Sequence, residues 1–120
     1  IRNHFGINRI GQAGALAALQ DRDWLAHILS QVAHARSRIA TIARDNGLTP
    51  LPSATNFIAI DCGRDGAYAR RILAALSDQG IFARMPGVAP MDRCIRVSCG
   101  PEPELAALAE ALPRAIKAAA

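Results

Sequence analysis

Residues 94–104, Cys94-Ile95-Arg96-Val97-Ser98-Cys99-Gly100-Pro101-Glu102-Pro103-Glu104, carry a strand straight into a helix. Alternation along a strand puts Ile95, Val97 and Cys99 on one face and turns Arg96 and Ser98 to the other. Proline suits the first turn of a helix, and acids suit its positive end, so Pro101 to Glu104 open the next element. Leu105, Leu108, Leu112 and Ile116 give that helix an inward face, and Pro113 is expected to bend or shorten it. An arginine at mid-strand among apolar neighbours needs a partner for its charge. Arg96 can pair with an Asp or Glu, face solvent, or bind a carboxylate or phosphate through its planar fork.

Upstream of this stretch, Ile81 to Arg84 reads as a strand. Met85 to Asp92, with two prolines and a glycine, reads as a loop. Arg84, at a strand end beside that loop, stands where ligand-binding side chains often stand and where surface arginines are also common. Asp65 caps a helix that runs to Asp78 and closes at Gly80. Asn56 to Asp61 is apolar on both faces and reads as a buried strand. Leu48 to Ser53 holds Pro50 and Pro52 and reads as an extended connection. Between Asp21 and Asn46, Leu25, Ile28, Val32, Ala35, Ile39 and Ile42 recur at steps of three and four, the stripe of a long amphipathic helix packed on a sheet or a neighbouring helix. Residues 7–20 read as a first helix, in which Gly11 and Gly14 mark close approach of a neighbour. The order is α-α-β-α-β-β-α: an α/β chain of the two-layer α+β kind, with a sheet of three or four short strands against helices.

The chain has 120 residues, 51% hydrophobic and 20% charged, with a formal net charge of +4. That is one domain's worth of sequence, too apolar to be disordered and too weakly basic to bind nucleic acid on charge alone. No apolar run approaches the ~20 residues of a membrane span, and no signal peptide is visible. The chain begins at Ile1 without a Met and reads as a fragment of something longer. Cys62, Cys94 and Cys99 lack disulfide or metal spacing and read as small buried hydrophobes in a reducing cytoplasm. His27 and His34 are two helical turns apart, too far for a helical zinc pair, and with His4 they read as non-catalytic. Ser53 and Ser98 have no nucleophile context, and there is no phosphate-binding glycine loop. Arg36, Arg38, Arg44, Arg70 and Arg71 read as solvated helix faces.

Four segments in register over the chain carry a resemblance: His4-Phe5-Gly6-Ile7-Asn8-Arg9-Ile10-Gly11-Gln12-Ala13, Pro52-Ser53-Ala54-Thr55-Asn56-Phe57, Gly80-Ile81-Phe82-Ala83-Arg84 and Cys94-Ile95-Arg96-Val97-Ser98-Cys99-Gly100. Together they resemble the C-terminal third of fold-type I, class I/II aminotransferases that use pyridoxal 5'-phosphate, nearest to the histidinol-phosphate aminotransferase group. The resemblance implies that residues 1–120 are a C-terminal small domain, with the large cofactor-binding domain and its Schiff-base lysine upstream. No catalytic residue is then expected here, and Lys117 does not match the Schiff-base position. The resemblance further implies that Arg96 holds the substrate anion, that Arg84 assists it, and that Asn56 lies at the edge of the site. It implies amino-acid and 2-oxo-acid substrates, a cytoplasmic homodimer, and no metal. Gly100-Pro101-Glu102 stands where a Gly-Thr-Pro is common, and Met85 to Arg93 departs from the loop expected for histidinol phosphate. A threonine-phosphate decarboxylase-like member and a stand-alone module binding a small anion or a protein are the alternatives.

Overall fold

A computed structural model of the chain describes residues 6–120; His4 and Phe5 lie outside the described residues. The chain divides into two compact units, Ile1–Gln31 and Val32–Ala120.

The first unit holds α1 (Arg9–Gln20) and the opening turns of α2 (Arg22–Asp45). Asn8 caps α1, its Oδ1 accepting the Gly11 N–H at 2.7 Å, and Asp21 does the same for α2 through the Trp24 N–H at 2.9 Å. Two expectations fail here. Leu25 and Ile28, expected on the buried stripe, are exposed, and no residue from 6 to 31 is buried. A Cβ on Gly11 would meet only Ile7 and Asn8 of its own turn, and one on Gly14 would meet nothing, so neither glycine marks a neighbour in this chain.

The second unit is built around a three-stranded antiparallel sheet in the order β1-β2-β3, formed by Thr49–Pro50, Phe57–Asp61 and Cys94–Ser98. Ile58 and Ile60 of β2 and Ile95 and Val97 of β3 are buried on its inner face. There they join Ile39 and Ile42 of α2, Ile72 and Leu76 of α3 (Gly66–Ser77), and Leu105, Leu108 and Leu112 of α4 (Glu102–Ala119) in one core. Asp65 caps α3 as expected, accepting the Tyr68 N–H at 2.8 Å. Among the described residues no helix is long and apolar enough to cross a membrane.

Three local expectations are corrected. Thr49 and Pro50 pair with Asp61 and Ile60 rather than merely connecting; a proline is tolerated there because β1 is an edge strand. Ile81–Arg84 is not a full strand. The Ile81 N–H closes α3 by donating to the Leu76 carbonyl, with Gly80 at φ 77° making the turn. At the other end, Pro86 falls at the next hydrogen-bonding position and has no N–H. What remains is one bridge, Arg84 opposite Arg96. The order is therefore α-α-β-β-α-β-α. Pro113 does not interrupt α4; its ring is exposed, while Leu105, Leu108, Leu112 and Ala115 anchor the opposite side.

Candidate anion site

The outer sheet face carries Phe57, Ala59 and Asp61 of β2 opposite Ser98, Arg96 and Cys94 of β3. The backbone of Arg96 bonds away from β2: its N–H donates to the Arg84 carbonyl at 2.6 Å, and the Arg84 N–H donates back to the Arg96 carbonyl at 3.0 Å. Residues that exchange both bonds sit directly opposite, with side chains on the same face. The bridge that replaced the expected strand thus sets the two arginines side by side.

Arg96 is half-buried and Arg84 exposed. Among the described residues the ion pairs are His34 and Arg38 with Glu102, and Arg93 with Asp61; neither Arg84 nor Arg96 takes part in one. Of the partners left open for Arg96, an acid of this chain is therefore not the one realised. Asp61 is the acid on the same face, about 7 Å along the sheet from the Arg96 pair. Its charge is claimed by Arg93, whose Nε donates to Oδ1 at 2.8 Å. Burial raises the Asp61 pKa, but the Arg93 bond and the Gly63 N–H outweigh it, leaving the carboxyl below its ordinary value of 3.8. Two adjacent guanidinium groups are left without a counter-ion, an arrangement that attracts a carboxylate or phosphate.

The Asp61 shift has a testable consequence. A depressed carboxylate pKa contributes stability above the ordinary value, lost as pH falls through the folded value. Asp61→Asn is expected to flatten the acid limb of a urea-midpoint-against-pH curve below about pH 4. An unchanged limb would mean that the Asp61–Arg93 pair is not linked to folding.

Asn56 is exposed just before β2. Its carbonyl accepts the Cys99 N–H at 2.8 Å, which places it across from Cys99 rather than beside Arg96. Sequence reasoning missed two residues. Phe57 lies with its ring 4.8 Å from Cζ of Arg96, and Phe82 with its ring 5.7 Å from Cζ of Arg84. Strand alternation could have put Phe57 and Arg96 on matching faces, but only the register Phe57–Ser98 makes them neighbours.

A groove of about 590 Å³ opens nearby between Phe82, Ser98 and the first turns of α4. Neither arginine lines it and the acid Glu104 does, so it is a poor place for an anion. Cys62 and Cys94 are buried and Cys99 half-buried; burial pushes the Cys62 thiol up to about 11, which leaves it protonated and inert at neutral pH. Among the described residues no cluster of His, Cys, Asp and Glu could hold a metal ion. Of the arginines expected on solvated faces, Arg44, Arg70 and Arg71 are exposed, Arg71 also donating to the Ala119 carbonyl, while Arg36 and Arg38 are half-buried, Arg36 donating to the Thr55 carbonyl and Arg38 pairing with Glu102.

No protein-family model matches the chain. It is similar to histidinol-phosphate aminotransferase 2 of Gluconobacter oxydans, 36% identical over 98 residues, which are 82% of this chain and 27% of that protein. With histidinol-phosphate aminotransferase 1 of Cupriavidus pinatubonensis it shares 33% identity over 117 residues, 98% of this chain and 31% of that protein. The crystal structure of histidinol-phosphate aminotransferase from Sinorhizobium meliloti, in complex with pyridoxal 5'-phosphate, superposes on the whole chain with a TM-score of 0.95 at 58% identity. In sequence and in fold the chain matches a part of these histidinol-phosphate aminotransferases. It spans only about 30% of the length of these curated relatives, and 33% of the Sinorhizobium chain. A decarboxylase from Sulfurospirillum multivorans shares the fold, with a TM-score of 0.65 at 20% identity.

Enzymes that use pyridoxal phosphate hold its aldehyde through a lysine amine. The single lysine here, Lys117, is exposed in the last turn of α4. The residues of this chain do not by themselves fit the cofactor; what they offer is a cationic sheet face.

Proposed function

We propose that residues 1–120 are the C-terminal small domain of a longer pyridoxal-phosphate-dependent aminotransferase. In that enzyme Arg96, aided by Arg84, holds the anionic end of the amino donor, an amino acid or amino phosphate, and Asn56 borders the site. The observation that carries this reading is the bridge between Arg84 and Arg96, which aims two guanidinium groups with no carboxylate partner at one open face. The cofactor, held by the remainder of the protein, supplies the electron sink when bound. The work of this chain is to bind and orient, which can account for several kcal/mol of barrier when the reacting bond is aligned. A 2-oxo acid is the second substrate, and the enzyme is read as a cytoplasmic homodimer. Relatives named for histidinol phosphate make a phosphate-bearing donor the first to test.

In the full-length protein, L-histidinol phosphate and 2-oxoglutarate are expected to yield glutamate. Release of CO2 from an amino-acid phosphate, without glutamate, would replace transamination by decarboxylation on the same fold. Measured by analytical ultracentrifugation, a mass of one subunit would remove the homodimer.

A further inference from the structure

We infer that Phe57 is a positioning residue for Arg96, holding its guanidinium plane toward the substrate anion; this rests on the reading of Arg96 as the anion-binding residue. An arginine that must bind a ligand poses a physical conflict. A long side chain with no partner samples many rotamers, and ordering it on binding costs free energy. An acidic partner would fix it but would neutralise its charge and occupy its donors. An aromatic ring resolves the conflict. A guanidinium over a ring face is attracted by the ring quadrupole, while its five N–H groups lie in its own plane and stay free.

The structure supplies this arrangement in parts. Arg96 Cζ lies 4.8 Å from the Phe57 ring centroid, well inside the range of the interaction. Phe57 is half-buried, which strengthens the attraction relative to an exposed pair. Its backbone is clamped: the carbonyl accepts from Ser53 Oγ at 2.6 Å and from Thr55 Oγ1 at 3.2 Å, and its N–H donates to Thr55 Oγ1 at 3.4 Å. Arg36 Nη1 ties this segment to α2 by donating to the Thr55 carbonyl at 2.9 Å. The segment Pro52-Ser53-Ala54-Thr55-Asn56-Phe57, singled out in the sequence, thereby acquires a job: its hydroxyls hold the backbone from which the Phe57 ring projects, and the ring holds the arginine. Phe82 makes the contrast. It is 81% exposed and lies 5.7 Å from Arg84, too loose and too wet to do the same for its neighbour.

The experiment uses the full-length holoenzyme and L-histidinol phosphate as donor, with three variants. Phe57→Leu keeps an apolar side chain and removes the ring face. Trifluorophenylalanine at position 57 keeps the shape and withdraws the ring's negative face, so it reports on the attraction even where Phe57→Leu fails to fold. Arg96→Ala reports on the underlying reading. The expected result is a rise in donor KM of about 3- to 10-fold for both changes at position 57, with kcat within twofold of the parent. Packing alone would not give a KM that follows ring electron density at constant shape. A KM raised by Arg96→Ala but not by trifluorophenylalanine overturns the role of Phe57 and leaves the anion site standing. A KM unmoved by Arg96→Ala overturns the anion site, and the role of Phe57 with it.

Discussion

Arg96→Ala in the full-length enzyme is expected to cut kcat/KM for a phosphate- or carboxylate-bearing amino donor by roughly 100- to 1,000-fold. Hydrogen bonds to charged groups contribute about 1.5–3 kcal/mol each, and a guanidinium fork offers two at once. Each factor of ten corresponds to about 1.4 kcal/mol, so the expected range lies at the lower end of the ~3–6 kcal/mol that two such bonds supply. Among the described residues nothing stands ready to substitute. Arg93 is already engaged by Asp61, and the neighbouring Arg84 is exposed and lightly held. Arg84→Ala should therefore cost less than Arg96→Ala, and the two losses should not add, because both cations face one anion. The visible absorbance of the bound cofactor should survive Arg96→Ala, since the proposal gives Arg96 the substrate anion and not the cofactor. An unchanged kcat/KM would refute the assignment; lost absorbance would show that Arg96 supports the cofactor instead.

Much of this site is legible in the sequence, and the boundary of what is legible has a physical cause. The outward orientation of Arg96 follows from strand period alone, because Ile95 and Val97 can only go inward. The cap at Asp65 follows from local hydrogen-bonding chemistry. What fails are statements that need a partner. The apolar stripe of α2 runs unbroken in sequence, yet it is buried only from Ala35 onward, because periodicity shows that a face seeks cover and not what covers it. Ile81–Arg84 has strand composition, but the closure of α3 takes the Ile81 N–H and Pro86 lacks one, so a single bridge forms. Phe57 was invisible as a neighbour of Arg96 for the same reason: strand register is a property of two segments. The order of motifs carried more than any single element, and a TM-score of 0.95 against the Sinorhizobium enzyme agrees with it.

The arginine pair is only as well placed as the helices behind the sheet, and Leu112 shows how far that dependence runs. It is fully buried on α4 within the core that α4 shares with α3 and the inner sheet face. Leu112→Ala removes apolar contact and leaves a space that backbones on both sides hold open, a change that costs about 2–5 kcal/mol in well-packed cores. Domains of this size are stable by only about 5–15 kcal/mol, so the loss is a large share of the total. Because a longer protein need not unfold in one step, the measurement should be local: amide hydrogen exchange of peptides from α3, α4 and β3. Exchange should quicken by roughly 30-fold or more in all three, since β3 loses its support when α4 loosens. Pro113→Ala, one residue away but exposed, should go the other way, because proline inside a helix removes a hydrogen bond and crowds the preceding turn. Slower exchange in α4 after Pro113→Ala, beside faster exchange after Leu112→Ala, would place the stability of this unit in the inward face of the helix. Faster exchange confined to α4 would mean that β3, and Arg96 with it, is held by β2 instead.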